Sequence, residues 1–507
     1  MEPIIDKLAS SLIINRILPP FTLLLFIVLI IGIYRVARRN EIIITSKRWA
    51  FLLTGTIVLG TVLRVYAGRI FFHTDFQYLR IAHSIFRTGY FSQCINSMKC
   101  IPVSLKAYVF YPSLIASIYN FTGVTLKVGT IINLVFGTLV IPLAGLKGYL
   151  EDGVYTAVYY AFLTAVFPLA IGYSKIPDSH IAGIFFMFLA LVLLKLSERD
   201  VELFFLAVIS AILGFNSKQY HIFLIIPIVS KFVDITRRRE LGIWVKKKIY
   251  LIYIFLISSA VFLLLPHNFL IITTRVLPSQ GLGVSNLFIG LADLLNRFPV
   301  FWIVLSVSFI GLAYSIAKRE NLETAIIFTV YTTAALTHAP GEGNVPLRIL
   351  NPSLLLLFFF GARMIGSASR RVAETEAISP ENTVLVVFIA FTALFMTTSI
   401  FDSPDENIET KDVKTILENV DRDPPVYTFD ANILISASTN EIIDLCYHKK
   451  TLENEESESI VYIGDKCMPE KTEDEDIADS LELIREKGYR IKEVEDHGFN
   501  KKCIFEK

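Results

Sequence analysis

Long apolar segments recur along the first four hundred residues, and they constrain the fold more than any other feature of this chain. A helix that crosses a bilayer needs about 17–25 mostly apolar residues. Hydrophobic residues make up 53% of the 507 residues, which is typical of an integral membrane protein. The sequence therefore predicts an all-α polytopic membrane domain with about twelve spanning helices, near residues 19–36, 49–67, 125–146, 153–172, 180–196, 201–217, 219–234, 249–266, 298–316, 321–338, 347–365 and 382–400.

Charge divides the chain into two parts near residue 402. Residues 402–507 carry 14 Lys and Arg against 28 Asp and Glu, a net charge of −14, whereas residues 1–401 carry 34 basic and 19 acidic residues, a net charge of +15. The division predicts a transmembrane domain over 1–401 and an acidic, water-soluble domain over 402–507. An acidic domain of this kind argues against nucleic acid as a partner.

The acidic tail has the pattern of a small folded domain. VYTF (426–429), SIVYIGD (459–465) and YRIKEVE (489–495) are typical of short strands. ADSLELIREKG (478–488) is typical of an amphipathic helix that ends at a glycine. Alternation of strands and helix over this length predicts a small α/β domain.

The basic loops predict the orientation of the chain in the membrane. They fall on one side if the ambiguous aromatic segment 106–121 lies at the interface instead of crossing, and cytoplasmic loops are enriched in Lys and Arg. These loops are 35–48, 236–248, 317–320 and 363–371. The large loop 68–124 and the C-terminal domain are then external, and the predicted location is the plasma membrane, with membrane lipids as partners.

All five cysteines fall in segments predicted to be external, where disulfides are permitted. Cys94 and Cys100 are close enough in sequence to close a small loop. Cys446, Cys467 and Cys503 lie in the tail, and their pairing is left open.

Four charged residues lie where predicted external loops meet the membrane: Asp75, Asp178, Lys218 and Arg348. Charges at an apolar boundary are costly unless they are paired or used, so the set indicates a functional site. Each of these four residues, considered by itself, has an alternative interpretation. An isolated external Asp is commonly solvated or caps a helix, and Lys or Arg can extend to the lipid headgroups.

Two histidines add a possible metal site to this set. His73 lies two residues before Asp75, and His180 lies two residues after Asp178. Imidazole and carboxylate ligands of this kind suit a divalent ion. The alternative is that both are interfacial histidines with no metal, and no other cofactor is indicated.

The order of these features resembles the GT-C superfamily of membrane glycosyltransferases over residues 49–366. The similarity is to the protein O-mannosyltransferase and aminoarabinose-transferase branch. Its elements are a helix followed by an external Asp and D-F-Q-Y, then YVFYPSLIASIYNFTG, YSKIPD, a helix pair joined by Lys, and R-I-L-N-P. The chain departs from that branch at Phe76, where an acidic residue usually follows the Asp, and at Tyr78, which comes one residue early.

The resemblance implies that a sugar moves from a polyprenyl-phosphate donor to a hydroxyl or amide on a protein, glycan or lipid acceptor. Asp75 matches the proposed general base, Asp178 matches the acid of the second loop, and Lys218 matches the basic residue at the helix junction. A cation beside the leaving phosphate would stabilise its charge, and Lys218 and Arg348 are the candidates. A single displacement would invert the sugar carbon.

Two other functions remain open at this point. One is a transporter or flippase of lipid-linked sugars, although repeated halves are not evident and charges inside the helices are few. The other is an oligosaccharide ligase with a polyprenyl-pyrophosphate donor, which would share the architecture.

Overall fold

The structure is a computed structural model of the chain. Helices fill most of its described part up to residue 374, and the described part of the tail is mostly strand. The described residues are 12–39, 47–66, 77–89, 91–94, 100–102, 108–124, 127–237, 248–271, 291–292, 295–296, 298–337, 345–374, 382, 384, 386, 426–428, 442–444, 459–464, 484, 486, 490–497 and 500–506.

The helices follow the apolar segments of the sequence. The first seven are α1 (Leu12–Arg39), α2 (Lys47–Tyr66), α3 (Gln77–Thr88), α4 (Phe110–Thr122), α5 (Lys127–Asp152), α6 (Val154–Val166) and α7 (Pro168–Tyr173). The next seven are α8 (His180–Leu196), α9 (Glu202–Phe215), α10 (Ile225–Arg237), α11 (Lys248–Ile271), α12 (Val300–Lys318), α13 (Leu322–Thr337) and α14 (Val345–Glu374). A 3₁₀ helix, Gln219–Leu224, joins α9 to α10.

Membrane spans are evident among these helices. Within the described residues, five stretches are long and apolar enough to cross a membrane: Arg16–Arg38, Trp49–Tyr66, Lys127–Asp152, Val300–Lys318 and Leu350–Val372. Large apolar side chains such as Ile31, Trp302 and Phe309 are exposed on α1 and α12, as expected of surfaces that face lipid. The chain is an integral membrane protein, and the count of about twelve crossings stays a prediction.

The interior of the helical body is built around α6 and α8. Helix α8 is apolar on all sides and 14 of its 17 residues are buried, which is the pattern of a helix surrounded by others. It packs against α5 and α9, while α6 packs against α2, α5 and α14. This arrangement brings the loop between α7 and α8 close to the end of α9.

The aromatic segment predicted to lie at the interface forms α4, which has 13 residues. A helix of this length is about 20 Å long, shorter than the hydrocarbon core of a bilayer. It packs against the amphipathic α3, which buries Leu79, Ile81 and Ala82. Burial, and the charge of Arg87, lower the pKa of His83 on α3, so this histidine is neutral at pH 7. An interfacial position for α4 stays a prediction.

The predicted helix 153–172 is divided in two. Phe167 has an extended backbone (φ −69°, ψ 118°) between α6 and α7. Its neighbour Pro168 causes this break, because proline disfavours a helical conformation in the residue before it and has no N–H to donate. The carbonyl of Thr164, four residues earlier, therefore cannot receive its usual helical hydrogen bond.

A fully buried arginine satisfies the carbonyls at this break. Arg64, near the end of α2, donates to the carbonyl oxygens of Ala165 at 3.0 Å and Thr164 at 3.3 Å, and to Gly60 in its own helix at 3.0 Å. Among the described residues no carboxylate lies within ion-pair distance of it. A cation at the C-terminal end of α6 also interacts favourably with the helix dipole. Arg64 thus fixes α2 to the break between α6 and α7.

We expect Arg64→Met to destabilise the folded protein by about 1–3 kcal/mol, because buried carbonyls would lose their donor. Thermal unfolding in detergent measures this. Thr61→Val is the matched control, since the Thr61 hydroxyl donates within α2, to the Ile57 carbonyl at 2.7 Å. Equal unfolding midpoints for the two variants would contradict the role given to Arg64.

The loop predicted to be external contains a short hairpin of β1 (Ser92–Cys94) and β2 (Cys100–Pro102). The two strands are antiparallel, and the register places Cys94 opposite Cys100. Opposed Cα atoms in such strands lie about 4.5–5.5 Å apart, which is within the range of a disulfide. The register is compatible with the Cys94–Cys100 disulfide, which stays a prediction.

The described residues of the tail form a mixed sheet with the strand order β4-β3-β5-β7-β6. Its strands are β3 (Val426–Thr428), β4 (Ile442–Asp444), β5 (Ser459–Gly464), β6 (Arg490–His497) and β7 (Asn500–Glu506). Strand β3 is parallel to β4 and β5, whereas β7 is antiparallel to β5 and β6. Three of these strands overlap the predicted ones. A separate α/β domain over 402–507 stays a prediction, because most of that range lies outside the described residues.

Candidate functional site

Asp178 and Lys218 form a buried ion pair. The Lys218 Nζ lies 2.9 Å from the Asp178 Oδ1, and the two side chains are 9% and 2% exposed. Asp178 belongs to the loop 174–179 between α7 and α8, and Lys218 belongs to the junction between α9 and the 3₁₀ helix. Two of the four charged residues singled out in the sequence therefore meet in the fold.

Local backbone structure brings Lys218 to this position. Helix α9 ends at Phe215, and Lys218 is extended (φ −154°, ψ 138°) before the 3₁₀ helix begins. Its N–H still donates to the Gly214 carbonyl at 2.9 Å, and its carbonyl accepts from the His221 N–H at 3.2 Å. Ser179 links the segment of Asp178 to that of Lys218. Its hydroxyl donates to the Ser217 carbonyl at 2.7 Å and lies 3.3 Å from the Asp178 Oδ1.

Aromatic rings surround the ammonium of Lys218. Its Nζ lies 5.3 Å from the ring centre of Tyr78 on α3 and 5.7 Å from that of Tyr108, and it lies 3.4 Å from the Tyr78 hydroxyl. Rings at this distance attract a cation through their electron-rich faces. They help to hold a charge that is buried inside the protein.

Tyr111 completes the aromatic part of the site. Its ring packs edge-on against Tyr78 with a centroid distance of 5.7 Å. Burial and the negative charge of Asp178 raise the pKa of Tyr111 well above its ordinary value. The hydroxyl therefore stays protonated, and it donates to the Gly129 carbonyl of α5 at 2.9 Å.

His180 is buried two residues from Asp178, and both of its ring nitrogens have protein partners. Its Nδ1 is hydrogen-bonded to the Tyr220 hydroxyl, and its Nε2 lies 3.2 Å from the Asn351 Nδ2 of α14. In this conformation both nitrogens lie against protein side chains. Among the described residues no group of three His, Cys, Asp or Glu could hold a metal ion. Because His73 and Asp75 lie outside those residues, the predicted divalent metal stays untested.

Two of the predicted charges are not placed in full. Asp75 lies outside the described residues. Arg348 lies in the first turn of α14, with its backbone described but not its side chain.

Sequence reasoning assigned no role to Tyr108, Tyr220, Asn133 and Asn351, which contribute to this site. Asn133 is buried on α5 and donates to the Asp178 carbonyl at 2.7 Å. A polar side chain inside an apolar helix is the signal that identifies Asn133 and Asn351. Tyr108 begins the segment YVFYPSLIASIYNFTG that carries the resemblance, but nothing in the sequence distinguishes it from the other tyrosines, and the same holds for Tyr220.

Solved structures share this arrangement of helices. The structures of ArnT from Cupriavidus metallidurans, in the apo state and bound to undecaprenyl phosphate, each match with a TM-score of 0.58 and 9% identity over 90% of this chain and 97% of ArnT. ArnT is the aminoarabinose transferase, a membrane glycosyltransferase of the GT-C class. The chain has the GT-C fold. The resemblance predicted from the sequence is confirmed at the level of the fold.

A second GT-C protein is also similar. The Archaeoglobus fulgidus oligosaccharyltransferase, in its complex with Zn and sulfate, matches with a TM-score of 0.51 and 13% identity over 81% of this chain and 67% of that protein. No protein-family model matches the sequence, and no curated protein matches it. At these identities the GT-C fold is established by shape, and the chemistry must be argued from the site.

Proposed function

We propose that this protein is a membrane glycosyltransferase that transfers a sugar from a polyprenyl-phosphate donor to a hydroxyl or amide of an acceptor on the external side of the membrane. The observation that carries the proposal is the buried Asp178–Lys218 pair with its surrounding tyrosines. The GT-C fold supports it, as does the ArnT structure bound to undecaprenyl phosphate. The acceptor is a protein, a glycan or a lipid.

The donor explains why a cation would lie at this place. A polyprenyl chain stays in the bilayer, so the phosphate that leaves the sugar is held near the membrane surface. Negative charge develops on that phosphate during transfer, and a fixed cation stabilises it most where water is excluded. Lys218 would supply this charge, and Arg348 is the second candidate.

Asp178 would hold the ammonium of Lys218 in the position where it contacts the donor phosphate. An ammonium can contact a carboxylate and a phosphate at once, because it has three N–H donors. The rings of Tyr78 and Tyr108, with centroids 5.3 and 5.7 Å from the ammonium, restrict its position further. In this proposal Asp178 orients the ammonium of Lys218, and Asp178 does not itself accept the proton of the acceptor.

Asp75 would be the general base. The hydroxyl of an acceptor has a high pKa and needs a base within hydrogen-bond reach as it attacks the sugar. Direct attack with departure of the phosphate inverts the sugar carbon. This assignment rests on the resemblance of the first external loop to that of GT-C enzymes.

The similarity to the oligosaccharyltransferase favours a second candidate function. In that case the chain would be an oligosaccharide ligase whose donor carries a pyrophosphate. Competition between polyprenyl phosphate and polyprenyl pyrophosphate for binding separates the two, since a ligase would bind the pyrophosphate more tightly.

Binding of undecaprenyl phosphate tests the phosphate part of the proposal. A ligand present at about 100 times its Kd stabilises the folded state by about 2.7 kcal/mol. We expect undecaprenyl phosphate to raise the unfolding midpoint of the purified protein, whereas undecaprenol, which has the same chain without the phosphate, should not. Equal shifts with both lipids, or no shift with either, would contradict a phosphate site.

A further inference from the structure

Residues near the N-terminal end of α5 contact the loop 174–179 and fix its backbone. Asn133 is fully buried, and its Nδ2 donates one hydrogen bond to the Ile176 carbonyl and one to the Asp178 carbonyl at 2.7 Å. Both hydrogens of the amide are therefore used on a single loop. One of the two acceptors belongs to the residue whose carboxylate faces Lys218.

Two neighbouring residues of α5 contact the same loop. The Thr130 hydroxyl lies 3.4 Å from the Lys175 carbonyl. Gly129 allows the loop to come close, because a Cβ at this position would lie 2.7 Å from the Cβ of Pro177. The loop thus rests directly on the backbone of α5, with Asn133 as the strongest polar contact.

The burial of the Asn133 amide inside an apolar helix requires an explanation. Burying it without hydrogen bonds is costly, and its Oδ1 has no hydrogen-bond partner among the described residues. An apolar side chain of the same shape would fill the space without that cost. What the amide adds is the pair of N–H donors that fixes two carbonyls of the loop.

We propose that Asn133 is a positioning residue that sets the geometry of the Asp178–Lys218 pair. By holding the carbonyls of residues 176 and 178, it fixes the backbone from which the Asp178 carboxylate extends to Lys218. The inference deepens the proposed function, on which its catalytic meaning rests. The geometric claim itself can be tested without any activity.

The first test measures the ion pair directly. Asn133→Leu keeps the approximate shape of the side chain but donates no hydrogen bond. An amine-acylating reagent, read by mass spectrometry, reports how strongly Lys218 is held, because an ammonium bound to a carboxylate reacts slowly. We expect labelling of Lys218 to become about tenfold faster in the variant, which corresponds to the loss of one or two net hydrogen bonds.

Lys147 is an internal control in the same experiment. It lies on the same helix, its side chain is 5% exposed, and it is ion-paired with Glu151 at the other end of α5. A general loosening of the fold would accelerate labelling of both lysines, whereas loss of positioning would accelerate only Lys218. Thr130→Val is the matched control variant, and its Lys218 should react within about twofold of the parental rate, since only a long contact is lost.

The outcomes distinguish this inference from the proposed function. Selective labelling of Lys218 together with weaker binding of undecaprenyl phosphate would support both. Selective labelling with unchanged binding would support the positioning role and would count against a phosphate at Lys218. Unchanged labelling of Lys218 in Asn133→Leu, or equal acceleration at Lys147, would overturn the positioning role whatever the lipid binding.

Discussion

Asp75→Asn is expected to reduce sugar transfer by about 10²- to 10⁴-fold while leaving the fold and donor binding intact. Asparagine keeps the size of the side chain and much of its hydrogen bonding, but it cannot accept a proton at neutral pH. The loss should therefore appear in kcat, with little change in the affinity for undecaprenyl phosphate. Single-turnover transfer and lipid binding on the same preparation measure the two quantities.

Asp200→Asn is the control for this variant. Asp200 lies in the loop before α9, where its carboxylate accepts from the Glu202 N–H at 2.9 Å. That loop follows the end of α8 that is remote from Asp178, so the change should leave transfer at the parental rate. If a well-folded Asp75→Asn protein also transferred at the parental rate, the base would have to be another residue.

Lys218→Met should have the largest effect on stability, about 3–5 kcal/mol, because it removes the cation that faces a buried carboxylate. The Asp178 side chain is 2% exposed, so water cannot replace the lost partner. Donor binding should weaken by roughly ten- to a hundredfold as well, through loss of a charge-assisted hydrogen bond to phosphate. Thermal unfolding and titration with undecaprenyl phosphate measure the two effects.

The double variant Lys218→Met with Asp178→Asn separates the cost of an unpaired buried charge from the cost of lost side-chain packing. It removes both charges, so it should be more stable than Lys218→Met alone. Lys195→Met is the surface control, since Lys195 and Glu198 form an ion pair at 3.3 Å with both side chains more than 40% exposed. Ion pairs between exposed side chains contribute little to the free energy of unfolding. A double variant as unstable as Lys218→Met alone would show that the pair is not the source of the stability.

The helices could be predicted because the length and apolarity of a spanning helix are properties of consecutive residues. Predicted segments such as 49–67 and 180–196 agree closely with α2 and α8. The break between α6 and α7 was missed, although Pro168 marks it, because hydropathy averages over the whole segment. Arg64 was missed for a related reason: a single charge hardly changes the apolarity of α2, yet a charge inside a membrane helix is a strong signal in its own right.

The candidate site could be predicted only in part. Asp178 and Lys218 were identified as charges beside apolar helices, but their contact was not, since it depends on how α8 and α9 pack and on where α9 ends. His180 was named as a possible metal ligand from its spacing to Asp178, and that stays an untested prediction, but the spacing gave no indication that its ring nitrogens lie against Tyr220 and Asn351. Side-chain direction at a helix end is a tertiary property that sequence spacing does not determine.

Release of polyprenyl phosphate from a sugar-linked donor tests the central claim most directly. A panel of sugar-linked undecaprenyl and dolichyl phosphates would be incubated with the purified protein, and the free polyprenyl phosphate would be separated by chromatography. A glycosyltransferase should release it from at least one donor in the presence of an acceptor extract, and the Asp75→Asn protein should not. Movement of the intact donor between the leaflets of a vesicle, with no release from any member of the panel, would contradict the account and identify a carrier of lipid-linked sugars.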